Sequence, residues 1–226
     1  RTLVLRTSPV ESRPPSVYHL IWSGRYYQVW QRAPTAGGTI IDHLGLGDAL
    51  HAGSMPSCST ILGLARLRGV HELVAPPRSQ PIIAPVIPSE GNGGDQVFPT
   101  HAAAYATTAT VPRAGSYEVW LGGSSKGRLA VSIDGHAVGA VHDQLQNSGQ
   151  WMQIGRVQLA PGAHSVTMRY TIPLLDPGSG GSSVQTFPFG PLVLEPVPDL
   201  HPLLQVSATN AQSLCGKTLD WVEALA

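Results

Sequence analysis

The sequence is short of charge. Only 12% of its 226 residues are charged, and 14 basic residues balance 14 acidic ones. Binding to nucleic-acid phosphates or to an anionic membrane surface needs an excess of basic groups, which this chain lacks. We therefore expect no nucleic acid partner.

Long apolar runs are missing as well. No stretch reaches the roughly 18 apolar residues that a transmembrane helix needs, and no signal peptide is visible. Lysine is scarce, since only Lys126 and Lys217 accompany the arginines, while Ala, Gly and Pro are abundant. We interpret this composition as that of a GC-rich bacterium.

Cysteine is nearly absent, with Cys58 and Cys215 the only two. Neither belongs to a C-x-x-C motif, so zinc-binding and thioredoxin-like sites have no support. Two unrelated buried thiols are one interpretation. The favoured alternative is a disulfide that joins the N-terminal part to the C-terminus, which the chain-entropy model rates at about 4–5 kcal/mol for a loop of roughly 160 residues. A disulfide implies an oxidising compartment, so we expect an extracytoplasmic location.

Glycine and proline, by contrast, are plentiful, with 25 and 20 copies. They separate many short apolar runs, a pattern typical of strands joined by turns. We predict a mainly β chain, in which an antiparallel β-sandwich spans residues 81–198. A smaller α+β subdomain is predicted from residues 1–80 completed by 199–226.

Within the predicted sandwich the apolar residues alternate with a period of two, which indicates strands with one buried face. The turn Asp134-Gly135 suits a tight hairpin. The side chains predicted to face the core are Tyr117, Val119, Leu121, Leu129, Val131, Ile133, Val166 and Met168.

The N-terminal part contains a predicted hairpin over residues 18–31, in which Tyr18, Leu20 and Trp22 share a face. Its density of aromatic residues suggests a packing platform. The best helix candidate spans residues 57–72, capped by Ser57 or Ser59.

Residues 112–172 resemble carbohydrate-binding modules of the galactose-binding-like jelly-roll class. The resemblance is carried by residues 114–120, 131–135, 151–155 and 159–166. It implies a sandwich that binds glycan without cleaving it, and modules of this class often carry a structural calcium.

The flanking parts are similar to the extracytoplasmic C-terminal regions of actinobacterial polytopic membrane glycosyltransferases. Residues 18–32, His43, Cys58 and residues 215–221 carry this second resemblance. It implies a non-catalytic accessory domain that recognises cell-envelope glycan beside a membrane domain of the same longer polypeptide. A structural or protein-interaction domain with no sugar site is the alternative.

Candidate ligand-binding residues follow from the need for aromatic faces and a few polar groups in a sugar site. The candidates are Trp151 and Trp120, with His142, Asp143 and Asn147 from the polar loop before Trp151. The competing interpretation is that both tryptophans are core residues.

Glu90 and Asp95, on a Gly-rich stretch, are the candidate calcium ligands, because Ca²⁺ prefers carboxylate oxygens. An ordinary solvated loop is the simpler interpretation. No other cofactor is indicated. No nucleophile elbow, phosphate-binding loop or zinc motif is present, so we expect the chain not to be an enzyme.

Overall fold

A computed structural model describes residues 1–34, 39–45, 52–53, 55–86, 96–142, 149–172, 187–197 and 202–226. The chain is mainly β, as predicted. It divides into two compact units, residues 1–80 with 199–226, and residues 81–198. In the described ranges, no helix is long and apolar enough to cross a membrane.

The elements follow one another as short strands interrupted by little helix. The helical elements are α1 (Cys58–Ala65) and a 3-10 segment, Ala208–Leu214. The strands are β1 (Thr2–Arg6), β2 (Tyr18–Ser23), β3 (Tyr27–Arg32), β4 (Ile40–Gly45), β5 (Glu72–Ala75), β6 (Ile82–Ala84), β7 (Ala103–Val111), β8 (Gly115–Gly123), β9 (Arg128–Ile133), β10 (His136–Val141), β11 (Trp151–Leu159), β12 (Gly162–Thr171), β13 (Phe189–Val197), β14 (Leu204–Ser207) and β15 (Trp221–Leu225).

The first unit contains two antiparallel sheets. One has the strand order β1-β3-β2 and the other the order β14-β5-β15-β4. Apolar side chains from α1, the 3-10 segment and the four-stranded sheet form its core, among them Ile61, Leu73, Leu214 and Val222. The C-terminal strand β15 lies between β5 and β4, so the end of the chain completes this unit.

Helix α1 begins as predicted, because the Ser57 side chain accepts a hydrogen bond from the Thr60 amide at 3.1 Å. It ends at Ala65, so the prediction that it reaches residue 72 was wrong. Gly69 adopts a left-handed φ of 86°, which turns the chain away from the helix axis and into β5.

The predicted disulfide is confirmed. Cys58, in the first turn of α1, is bonded to Cys215, directly after the 3-10 segment, with Cα atoms 5.0 Å apart. The bond joins positions 157 residues apart in the sequence.

The second unit is an antiparallel sandwich, which confirms the predicted fold class. Its two sheets have the orders β10-β9-β12-β7 and β11-β8-β13-β6. The chain crosses from one sheet to the other at nearly every connection, and only β9 and β10 are joined as a hairpin within one sheet. Eight strands in this order form a jelly roll.

The predicted core face is also confirmed. All eight side chains predicted to face inward are at most 2% exposed. Phe189, Leu192 and Leu194 on β13 join them in one apolar cluster. The hairpin turn uses Asp134 and Gly135, both with positive φ, as a type I′ turn requires.

Candidate functional site

The two tryptophans proposed for sugar stacking share one side of a sandwich sheet. Trp151 on β11 is paired with Gly122, two residues beyond Trp120 on β8, so both indoles lie opposite the sandwich core. A Cβ atom at Gly122 would come 3.4 Å from the Trp151 ring, so the glycine leaves room for that indole.

Both indole rings, however, are buried. Trp151 is 5% exposed and Trp120 is 1% exposed, so neither presents a free aromatic face in this structure. The Trp120 Nε1–H is buried and has no hydrogen-bond partner among the described residues. This burial agrees with the competing interpretation, in which both tryptophans pack within the protein. A contribution of these residues to binding in another form stays a prediction.

The other predicted site residues lie near or outside the described part of the chain. His142 is exposed and follows the end of β10. Asp143 and Asn147 lie outside the described residues, as do Glu90 and Asp95, the candidate calcium ligands. Within the described ranges, no three His, Cys, Asp or Glu side chains come together as a metal site.

An exposed aromatic surface lies instead on the three-stranded sheet of the first unit. Here Trp22 is 55% exposed, Tyr27 52% and Val4 64%. Cross-strand pairing places Val4, Val29 and Trp22 in one row across the three strands. The side of the sheet that they share, named the aromatic face, consists of Thr2, Val4, Arg6, His19, Trp22, Tyr27, Val29 and Gln31.

Sequence reasoning missed this face because of a β-bulge. Leu20 is paired with Trp30 whereas Trp22 is paired with Val29, so one extra residue, Ile21, lies between the two pairs. The expectation that Tyr18, Leu20 and Trp22 share a face was therefore wrong, since the bulge reverses the side on which Trp22 lies. The alternation of Tyr27, Val29 and Gln31 on the partner strand was the signal that could have revealed the face.

Polar side chains frame the apolar row on both sides. Thr2, Gln31 and His19 form the row at one end, and Arg6 lies opposite Tyr27 at the other. Strands in a sheet are about 4.8 Å apart and rise about 3.4 Å per residue, so the face measures roughly 10 by 14 Å.

The opposite side of the sheet holds it in place. Trp30 is buried there, and its Nε1–H donates to the Gln28 side chain at 3.1 Å. Leu3 is paired with Trp30 and is half-buried. Trp30 is thus packed on this side, while Val4, Trp22 and Tyr27 on the aromatic face are exposed.

Two buried carboxylates on or beside β15 fix the connection between β1 and β2. The Asp220 carboxylate pairs with the Arg13 guanidinium at 2.7 Å. Glu223 accepts hydrogen bonds from the Ser16 amide at 2.6 Å and from His43 Nδ1 at 3.1 Å. Burial acts to raise the pKa of Glu223, but these hydrogen bonds outweigh it and hold the pKa below its usual 4.5. These carboxylates therefore position the connector.

Comparison with known proteins gives partial likenesses of fold. No protein-family model and no curated protein sequence matches the chain. One similar structure is the GH26-CBM35 β-(1,4)-mannanase of Podospora anserina, with 13% identity and a TM-score of 0.36. The match covers 58% of this chain and 29% of the mannanase chain.

Two further structures are similar over 54% of the chain. A family 35 carbohydrate-binding module from an environmental isolate is covered to 96%, with 13% identity and a TM-score of 0.31. The cycloisomaltooligosaccharide glucanotransferase of a Paenibacillus species, complexed with cycloisomaltoheptaose, is covered to 18%, with 15% identity and a TM-score of 0.30.

Proposed function

We propose that the chain is a non-catalytic, extracytoplasmic domain that recognises a glycan of the cell envelope. The observation that supports this most directly is the aromatic face, on which Trp22 and Tyr27 are open to solvent and surrounded by hydrogen-bonding side chains. A sheet surface of this kind offers two things that a sugar needs, an aromatic plane for its C–H groups and polar groups for its hydroxyls.

The most buried carboxylates do not suggest catalysis. Asp220 pairs with Arg13, and Oε1 of Glu223 accepts from His43 and the Ser16 amide, and these contacts hold a connector in place. A role in recognition requires no reacting group, so the proposal contains no chemical step.

The location rests on the disulfide between Cys58 and Cys215, because such bonds persist in oxidising compartments. The finer proposal is that the domain assists a membrane-embedded glycosyltransferase within the same longer polypeptide. This part is supported only by the resemblance of residues 18–32 and 215–221 to such proteins.

The experiment is a binding titration of the intact chain against a panel of envelope polysaccharides, with two tryptophan variants compared. Single sugar–aromatic contacts are weak, so we expect Kd values of about 10 μM to 1 mM. Trp22→Ala removes an exposed ring, and we expect lost binding with a change in unfolding free energy within about 0.5 kcal/mol. Trp151→Ala removes a packed ring, and we expect about 3–5 kcal/mol of lost stability instead.

A third variant tests whether binding depends on the position of the Trp22 ring and not only on its presence. A Cβ atom at Gly24 would collide with the far edge of the Trp22 indole, so Gly24→Ala displaces that ring without deleting it. We expect weaker glycan binding from Gly24→Ala as well. Absence of binding across the panel, or binding unchanged in Trp22→Ala, would favour a structural or protein-interaction domain.

A further inference from the structure

Arg6 is the one charged residue of the aromatic face. It lies directly opposite Tyr27 at the end of the face, half-buried, next to the row formed by Val4, Val29 and Trp22. Its guanidinium makes no ion pair or side-chain hydrogen bond with any residue in the described part of the chain. The arginine therefore has its donors available for a ligand.

The surroundings of Arg6 reinforce its charge. Strands β1, β2 and β3 contain Arg6 and Arg32 and no acidic residue. Residues 1–33 contain five arginines and a single acidic residue, Glu11. Among these arginines Arg13 is already paired with Asp220. The chain as a whole is neutral, so this segment concentrates positive charge that a negatively charged ligand would meet.

We propose that the glycan recognised by the aromatic face is acidic, with a sugar carboxylate held by the Arg6 guanidinium while a ring stacks on Tyr27 or Trp22. This inference rests on the proposed function and adds its ligand class. The planar guanidinium presents paired N–H donors that match the two oxygens of a carboxylate. The hydroxyl groups of the glycan would bind at the other end of the face, to Thr2, Gln31 and His19.

An anionic lipid surface fits the same face less well. Each basic group near such a surface contributes only about 1 kcal/mol, and surface binding therefore draws on several. Arg6 is alone on this face, since Arg32 is paired with Tyr18 and belongs to the opposite side of the sheet. Three hydrogen-bonding residues at the far end suit hydroxyls and have no use in a hydrocarbon layer.

The test compares one acidic oligosaccharide with its neutral derivative by calorimetric titration of the intact chain. The probes are an oligogalacturonate and the same oligosaccharide with its carboxylates reduced to alcohols. We expect the acidic probe to bind about tenfold more tightly, because a charge-assisted hydrogen bond replaces a neutral one. The preference should be clear at about 0.01 M salt and largely lost at about 1 M, where the Debye length falls from about 30 Å to about 3 Å.

Two arginine variants test which arginine causes the preference for the acidic probe. Arg6→Gln should remove the preference for the acidic probe while leaving weak binding of the neutral one. Arg32→Gln, on the other side of the same sheet, is the matched control and should keep the preference. Trp22→Ala should weaken the binding of both probes, and circular dichroism checks that each variant is folded.

The outcomes distinguish the two proposals. Equal affinity for both probes, unchanged by Arg6→Gln and lost in Trp22→Ala, would overturn the acidic preference and leave glycan recognition standing. Failure to bind either probe or any panel polysaccharide would overturn both. Binding to phosphatidylglycerol vesicles with none to either probe would overturn the acidic-glycan inference and assign the face to membranes.

Discussion

Asp134 and His164 join two turns of the sandwich through a hydrogen bond of 2.6 Å between Oδ2 and Nδ1. The second ring nitrogen, Nε2, lies 2.8 Å from the Ala160 carbonyl oxygen. Carboxylate and carbonyl oxygens only accept, so this geometry fits the positively charged imidazole, which carries hydrogen on both ring nitrogens. The pair ties the β9–β10 turn to the β11–β12 turn.

This pair predicts a loss of stability as pH rises above 6.5. The hydrogen bond to Asp134 raises the pKa of His164 above its usual 6.5, with a further contribution from Ala160. A raised folded-state pKa means that the stabilisation is complete below pH 6.5 and is lost as pH rises through the higher value. Urea denaturation between pH 5 and 9 should show this decline, and His164→Gln should flatten it. An identical decline in the variant would contradict the assignment.

Asp134 sets the acid limit of the same interaction. The hydrogen bond from His164 lowers the pKa of Asp134 below its usual 3.8. The contribution is therefore present above pH 3.8 and disappears as pH falls through the lower folded-state value. An NMR titration of the Asp134 carboxyl carbon should give a pKa below 3.8, and His164→Gln should return it toward that value.

Two glycine-to-alanine changes should have opposite effects. A Cβ atom at Gly139 would collide with the Ile154 carbonyl oxygen, where β10 and β11 approach each other, so we expect Gly139→Ala to cost about 1–3 kcal/mol. Gly63 is exposed within α1 with open space around it, so Gly63→Ala should stabilise the helix by about 0.5–1 kcal/mol. Thermal unfolding of both variants checks the pair, and two shifts of the same sign would contradict the prediction.

Reduction of the disulfide should weaken one unit only. Both cysteines belong to the first unit, while the sandwich has its own apolar cluster. Cys58→Ser with Cys215→Ser should lower the unfolding free energy of the first unit by about 2–5 kcal/mol. Hydrogen exchange measured residue by residue should show the loss there, with sandwich amides unchanged. A matching loss in β8 and β12 would mean that the units unfold together.

The fully buried Glu223 should matter more than Glu118, a half-buried acid with an equally short contact to an exposed partner. Glu223→Ala leaves the Ser16 amide and His43 without their acceptor, which should cost about 1–3 kcal/mol and expose residues 8–16 to proteolysis. Glu118 pairs with Arg156 at 2.7 Å, but that arginine is exposed, so Glu118→Ala should cost less than about 1 kcal/mol. Equal losses would show that burial does not decide the effect.

The sandwich was predictable because its determinants are local. Alternation along residues 117–121 and 129–133 settles which side chains are buried, and Asp134-Gly135 settles the hairpin turn. The aromatic face was not predictable in the same way. A single inserted residue, Ile21, changes the side on which Trp22 lies, and the periodicity of a sequence does not predict a bulge.

The burial of Trp151 illustrates a second limit. Trp151 begins strand β11, which runs to Leu159. Whether the ring stacks on a ligand or packs within the protein depends on which residues cover that side of the sheet, and those are distant in sequence. The local sequence pattern therefore places an aromatic residue on a strand but does not predict whether its ring is exposed to solvent.

The division of the first unit between the two ends of this sequence has a consequence for biogenesis. Cys58 is synthesised 157 residues before Cys215. At about 5–20 residues per second, it waits about 8–30 s for its partner, while the whole jelly roll is made in between. The thiol must escape premature oxidation during that interval, and strand β15 can enter its sheet only after the jelly roll has emerged. The unit whose synthesis begins first is thus the last to complete its folding.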